Sequence, residues 1–171
     1  MFIKHDSFDP HVGPVLVTEI LANSITVTQN DSVKFASGFV ALGTAGAAVL
    51  GHVADIVTDR GVGLSTTGAA GAEAGSFIGT FTTTSDNQTV AKVSAVIDVS
   101  QQSRYSADVD ATLGTTTGSG LRGYRMDLVS ENSLDESTAV TSTAQYATWG
   151  VDPADSGNAI VNILESQVFN T

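Results

Sequence analysis

Three histidines are the residues in this chain best suited to general-base or metal chemistry: His5, His11 and His52. His5 and His11 fall in a proline-marked N-terminal stretch, a poor place to hold a catalytic base rigidly. His52 sits in Leu50-Gly51-His52-Val53, inside a strand pattern. It reads as a structural histidine with satisfied ring nitrogens, or as one that titrates at an interface between subunits. No Gly-x-Ser-x-Gly elbow accompanies the histidines. Cysteine is absent, which removes thiolate metal sites, cysteine nucleophiles and disulfides.

The acidic residues are the next candidates. Asp108-Val109-Asp110 and Asp152-Pro153-Ala154-Asp155-Ser156-Gly157-Asn158 offer the oxygen ligands that calcium takes, but neither follows the regular ligand series of a calcium loop. Asp152 and Asn158 are expected to build turns through side-chain to backbone bonds. Gly43-Thr44-Ala45-Gly46-Ala47-Ala48-Val49-Leu50-Gly51 is glycine-rich but lacks the Lys-Ser/Thr of a phosphate-binding loop. Sugar-cleaving carboxylate pairs usually lie between aromatic walls, and this chain holds one Trp and three Tyr. Alternation puts Tyr146 and Thr148 on the face opposite Trp149, and the default reading of that lone tryptophan is a core residue. Nowhere do a nucleophile, a base and an orienting group come together. The expectation is therefore no enzyme, no metal site and no cofactor.

The charge narrows the partners. Eighteen acidic against seven basic residues leave a net charge of −11. No basic residue follows Arg125, while Asp127, Glu131, Asp135, Glu136, Asp152, Asp155 and Glu165 do. Nucleic acid needs a basic footprint to release its counterions, and anionic membranes need the same, so neither is expected as a partner. The N-terminus lacks the apolar run of a signal peptide, which suggests synthesis in a cytosol without export by that route. No window has the apolar length of a membrane-spanning helix.

The elements that must position these residues read as strands. Gly, Ser and Thr make up roughly a third of the chain, well above ordinary usage. Thr and Val suit pleated surfaces, while Gly and Ser suit turns. Residues 1–14 carry Pro10 and Pro14 and read as an extended arm. Phe2, Ile3, Phe8, Pro10, His11 and Pro14 of that arm are the candidate contacts to a neighbouring subunit. Period-two alternation at Ile25, Val27, Val33 and Phe35, with runs at 15–17, 39–42 and 49–57, predicts a small β lobe over 15–60. Five glycines within 61–75 predict a linker or long loop. A hairpin of two long strands is expected around Ser85-Asp86-Asn87-Gln88, followed by a polar stretch from 100 to 120. Further strands are expected at 121–129, 139–151 and 160–168, so that 76–171 forms a β-barrel or sandwich domain. The fold class is mainly β: short-strand barrel or sandwich lobes with an extended N-terminal arm.

Asp31-Ser32-Val33-Lys34-Phe35 runs through Ser37-Gly38-Phe39-Val40-Ala41-Leu42-Gly43-Thr44-Ala45-Gly46 to Gly51-His52-Val53, and Ser85-Asp86-Asn87-Gln88-Thr89-Val90-Ala91 follows. Further along come Tyr105-Ser106-Ala107-Asp108, the run from Ala111 to Ser119, Trp149-Gly150-Val151-Asp152-Pro153 and Glu165-Ser166-Gln167-Val168-Phe169. Over nearly the whole chain these stretches resemble cement (decoration) proteins of tailed bacteriophage capsids. The resemblance implies an adhesive protein on the outer capsid surface, made in the bacterial host cytoplasm, with the major capsid protein as partner and self-association as a homotrimer. It carries over no catalytic residue. The rival readings are another virion component, such as a head fibre or a tail or baseplate part, and a carbohydrate-binding β-module using Trp149, Tyr124 and Tyr146.

Overall fold

Alternating and β-branched runs from one end of the chain to the other form short strands. The computed structural model describes residues 1–7, 14–58, 79–110, 113, 123–135 and 144–164. Strands take up 55% of them and helix 4%, so the fold is mainly β. The strands are β1 (Phe2–Ser7), β2 (Leu16–Ile20), β3 (Thr26–Thr28), β4 (Ser32–Ala36), β5 (Phe39–Leu42), β6 (Gly51–Val57) and β7 (Thr80–Thr82). After a π-helical turn at Asn87–Ala91 come β8 (Ser94–Asp98), β9 (Ser103–Val109), β10 (Arg125–Ser130), β11 (Ser133–Asp135), β12 (Tyr146–Val151) and β13 (Asn158–Ile163).

One sheet runs β1-β9-β11-β10-β12-β13, and a further β9–β13 pairing closes it into a five-stranded barrel. β1 and β11 share one edge of β9: β1 covers Ser103 to Ala107, and β11 continues at Asp108 and Val109. The barrel core is Tyr105, Ala107, Met126, Leu128, Leu134, Tyr146, Ala159, Val161 and Ile163, completed by Phe2 from β1 and Val49 from the β5–β6 connection. The second sheet runs β2-β8-β6-β4-β5 and curls until a bridge between Leu21 and Val40 joins its two edges. It encloses Leu21, Val27, Val33, Val40, Val53, Ile56, Val93, Ala95 and Ile97. The β4–β5 hairpin turns on Ser37 and Gly38, whose φ values of 52° and 84° are both positive, as a two-residue hairpin turn requires. A ribbon of β3 and β7 completes the fold.

Four expectations need correction. First, residues 2–7 of the expected 1–14 arm dock on their own chain, while 8–13 lie outside the described residues. Residues 2–7 are a strand, and Phe2 is fully buried in its own chain's barrel, where it cannot reach a neighbour. Second, the sheets do not divide at 61–75. β7 and β8 pair back onto β3, β2 and β6, while β1 pairs forward onto β9, so the second sheet is inserted within the barrel's sequence. The proposed linker, 61–75, itself lies outside the described residues. Third, no hairpin joins the strands flanking 85–88. A buried Asn87 folds that stretch into the π-helical turn, its amide bonding Leu21 O at 2.7 Å, Val93 O at 3.0 Å and Val93 N at 2.9 Å. Fourth, the stretch from 100 holds β9, and the connection after Ser130 holds β11.

Candidate functional site

The densest polar cluster lies where the second sheet meets the barrel. β8 sits centrally in its sheet, so Ala95 and Ile97 point into that core while Asp98 faces the barrel. Asp98 is 2% exposed and accepts four bonds. Its Oδ2 takes Lys4 Nζ at 2.6 Å, Ser103 Oγ at 2.8 Å and Tyr105 Oη at 3.0 Å. Its Oδ1 takes Ser100 N at 2.9 Å. Burial alone would raise the Asp98 pKa, but Lys4 and these donors outweigh it and hold the carboxyl below its usual value.

His52, on β6, is fully buried beside this cluster. Its ring stacks on Tyr105 with centroids 4.0 Å apart and tilts against Phe2 at 4.6 Å and Tyr146 at 5.7 Å. Nδ1 lies 2.9 Å from the Asn30 carbonyl, which can only accept, so Nδ1 carries the proton. Nε2 lies 3.2 Å from Tyr146 Oη. Tyr146 Oη donates to Ser32 Oγ at 2.9 Å. Burial lowers the His52 pKa to about 4, against the opposing pulls of Asn30 O and Asp98. The same desolvation raises the Tyr105 and Tyr146 phenols. Neighbouring Asp31 is 4% exposed and pushed up to about 6, by burial first and by Glu131 besides, although Thr28 N bonds its Oδ2 at 2.7 Å.

The joint has a second set of clasps. The β5–β6 connection leaves the second sheet and plugs the barrel with Val49. Buried Gln145 receives it, donating from Nε2 to Thr44 O at 3.0 Å and to Ala47 O, while its Oε1 takes Leu128 N at 2.7 Å. Gly46 N donates to Asp127 Oδ1, and Ser32 N to Glu131 O at 2.7 Å. Among the described residues, every buried side-chain nitrogen and oxygen has a partner. Chemically, this arrangement binds two β units together. His52 and Tyr146 are both sealed from solvent, so neither is placed to meet a substrate.

Gly51, one residue before His52, sets how closely β6 approaches β8. A Cβ there would lie 2.4 Å from Asp98 O and 2.6 Å from Ile97 Cγ2. Gly51→Ala is expected to cost about 3 kcal/mol, as overpacking against backbone does. A urea midpoint unchanged from the native protein would contradict that approach.

The sequence candidates are scattered. Of the six proposed contacts, Phe2 is core, while Ile3 points outward at 46% exposure beside Ser106 and Pro14 is exposed ahead of β2. Phe8, Pro10 and His11 lie outside the described residues, and His5 falls within β1. Trp149 is not in the core: it is 36% exposed, with Nε1 donating to Asn162 Oδ1 at 2.6 Å. Gly150, at φ 150°, follows it where the β12–β13 register slips. Thr148, one residue earlier, is buried, and strand alternation turns Trp149 outward. Asp152 and Asp155 form turns, taking Ala154 N at 2.8 Å and Gly157 N at 3.0 Å. Lys4, Asp98, Ser103 and Tyr105 were not candidates in the sequence. Only an acid within the apolar run Ala95-Val96-Ile97-Asp98-Val99 hinted at them. Compared with protein-family models, with curated proteins and with solved structures, the chain has no match.

Proposed function

We propose that this chain is a structural virion protein: a cement protein that binds the outer surface of a phage capsid, assembles there as a homotrimer at local three-fold positions and stabilises the major capsid protein lattice. The observation that carries the reading is the use made of the motif residues. Ser32, His52 and Tyr105 belong to stretches that resemble cement-protein motifs, and their polar atoms go to one another's neighbours at the joint. They stiffen a module instead of presenting chemistry. A stiff module with many copies on a lattice gains by avidity what each contact lacks in strength. Its negative charge suits a protein held on the outside of a head, away from the packaged polyanion.

The test adds purified protein to heads that lack it. Saturable co-sedimentation, with a fixed copy number by mass spectrometry and a higher temperature of head rupture, is the expected result. Absence from purified virions together with no binding to heads would end the reading.

Exposed Trp149 favours one alternative, a carbohydrate-binding β-module. The aromatic platform that module would use is incomplete, because Tyr146 is fully buried. Trp149 is the only tryptophan, so its fluorescence reports on this face alone. Acrylamide is expected to quench it, and Trp149→Phe to leave head binding and melting unchanged. A saturable fluorescence change with oligosaccharides would favour the alternative.

A further inference from the structure

The second sheet leaves one stretch of edge open, at the start of β2. Main-chain groups of Val15 and Leu21 point to β8, since Val99 N donates to Val15 O at 2.9 Å and Leu21 N to Val93 O at 3.1 Å. By strand alternation, those of Leu16, Thr18 and Ile20 point the other way. Beyond Ile20 the outer edge is taken: Leu21 bridges Val40, and Ala22 N donates to Val40 O at 2.8 Å. Leu16 and Thr18 have no main-chain partner on that side among the described residues. Edges that proteins protect usually carry an inward charge, a bulge or a lysine. Glu19, on the face of Val17 and Leu21, gives this edge such a charge at one end, but its open end shows Val15 at 56% and Leu16 at 50% exposure.

We propose that this edge pairs with the same edge of a second copy, antiparallel, about a two-fold axis through Val17. The open groups determine the partner. They sit two residues apart, so Leu16 of one copy falls opposite Thr18 of the other, and all the outward donors and acceptors are satisfied in about four main-chain bonds. Side chains agree with that register. Leu16 covers the Thr18 methyl across the strand, and Val17 meets its own copy on the core side. Glu19 falls opposite Val15 and never opposite another Glu19. A foreign strand would have to supply this complement by chance, whereas a second copy has it. The contact goes beyond the capsid reading and does not depend on it. It is small, and each copy carries a charge of −11, so it forms weakly and is strengthened by salt.

Sedimentation equilibrium at roughly 0.1–1 mM protein, a range suited to small interfaces, is the test. The average mass is expected to rise from 17.5 kDa toward twice that value, and to rise further with added sodium chloride. Thr18→Pro removes only the outward N–H, which an edge strand tolerates, and is expected to hold the mass at the monomer value. Leu16→Lys, on an exposed side chain, should do the same and decides the matter if the proline variant fails to fold. Self-association of both folded variants at native strength would overturn the proposal, as would a native protein that stays monomeric throughout, or a trimer that neither substitution affects.

Discussion

A chain lacking residues 1–7 is expected to lose its cooperative melting transition at room temperature. The deletion takes Phe2 out of the barrel core, where its ring stacks on Tyr146 at 5.2 Å and meets Tyr105 edge-on at 6.4 Å. Truncating a fully buried phenylalanine costs about 3–5 kcal/mol. Lys4 goes too, leaving the Asp98 carboxylate, 3% exposed, without its cation. Lys4 is itself 41% exposed, so solvent screens part of that pairing and about 2 kcal/mol is a fair share of the cost. The β1–β9 ladder is lost with both. Together these approach or exceed the roughly 5–15 kcal/mol that holds an ordinary domain folded. Circular dichroism melting checks it, and Phe2→Ala alone should lower stability by about 3–5 kcal/mol. A shortened chain that melts like the native one, and only binds heads less well, would restore the free-arm reading.

Asp31→Asn is expected to uncover an acid sensitivity that the native protein hides. His52 has a folded pKa of about 4, lowered from 6.5, so the unfolded chain takes up a proton first as the pH falls. Its contribution is intact above pH 6.5 and gone below pH 4, a loss of about 3 kcal/mol. Asp31 works the other way. Its pKa is raised from 3.8 to about 6, so the folded chain takes up that proton first and gains stability as the pH falls from 6 to 4. Discounted for solvent at its rim, that gain is about 2 kcal/mol. Within this window the two nearly cancel, and native stability should be flat from pH 7 to about 4. Asp98, held below its usual value, adds a loss only below that. In the asparagine variant the Thr28 N–H keeps an acceptor and the buried charge is gone. It should be about 2 kcal/mol more stable than native at pH 7 and fall by about 3 kcal/mol by pH 4. Urea midpoints across pH 4–7 decide it, and parallel curves for the two proteins would refute opposed titration.

Much of the strand content was legible because one-sided burial imposes alternation. Val27 and Val33 are core residues of strands read from that pattern, and Val40 of a strand read from an apolar run. The pairing was not legible. A strand's sequence records which face is buried but not which strand lies beside it, so nothing in Phe2-Ile3-Lys4 pointed to a partner a hundred residues on. β9 was hidden because its inward residues, Ser103, Tyr105 and Ala107, include a serine spent on Asp98 and a small alanine, and so look like a polar stretch. Trp149 misled because the alternation was read but the wrong face was taken as core: Tyr146 and Thr148 are the buried pair, and Trp149 faces out. In the site, His52 read correctly as a structural histidine. Asp98 could not be told from a solvent-facing acid, since only the barrel docked against its outer face buries it.

The insertion of one sheet within the barrel's sequence bears on how the chain is made. A ribosome releases Phe2 before the second sheet, and Ser103–Val109 only after that whole sheet has emerged. The inserted strands, 16–98, can pair among themselves while β1 has nothing to join. For that interval β1 waits unpaired, and the barrel closes late, through contacts distant in sequence that form slowly. Chaperones, or a soluble fusion partner ahead of Met1, would act on the yield of folded protein in that interval and leave the finished stability unchanged.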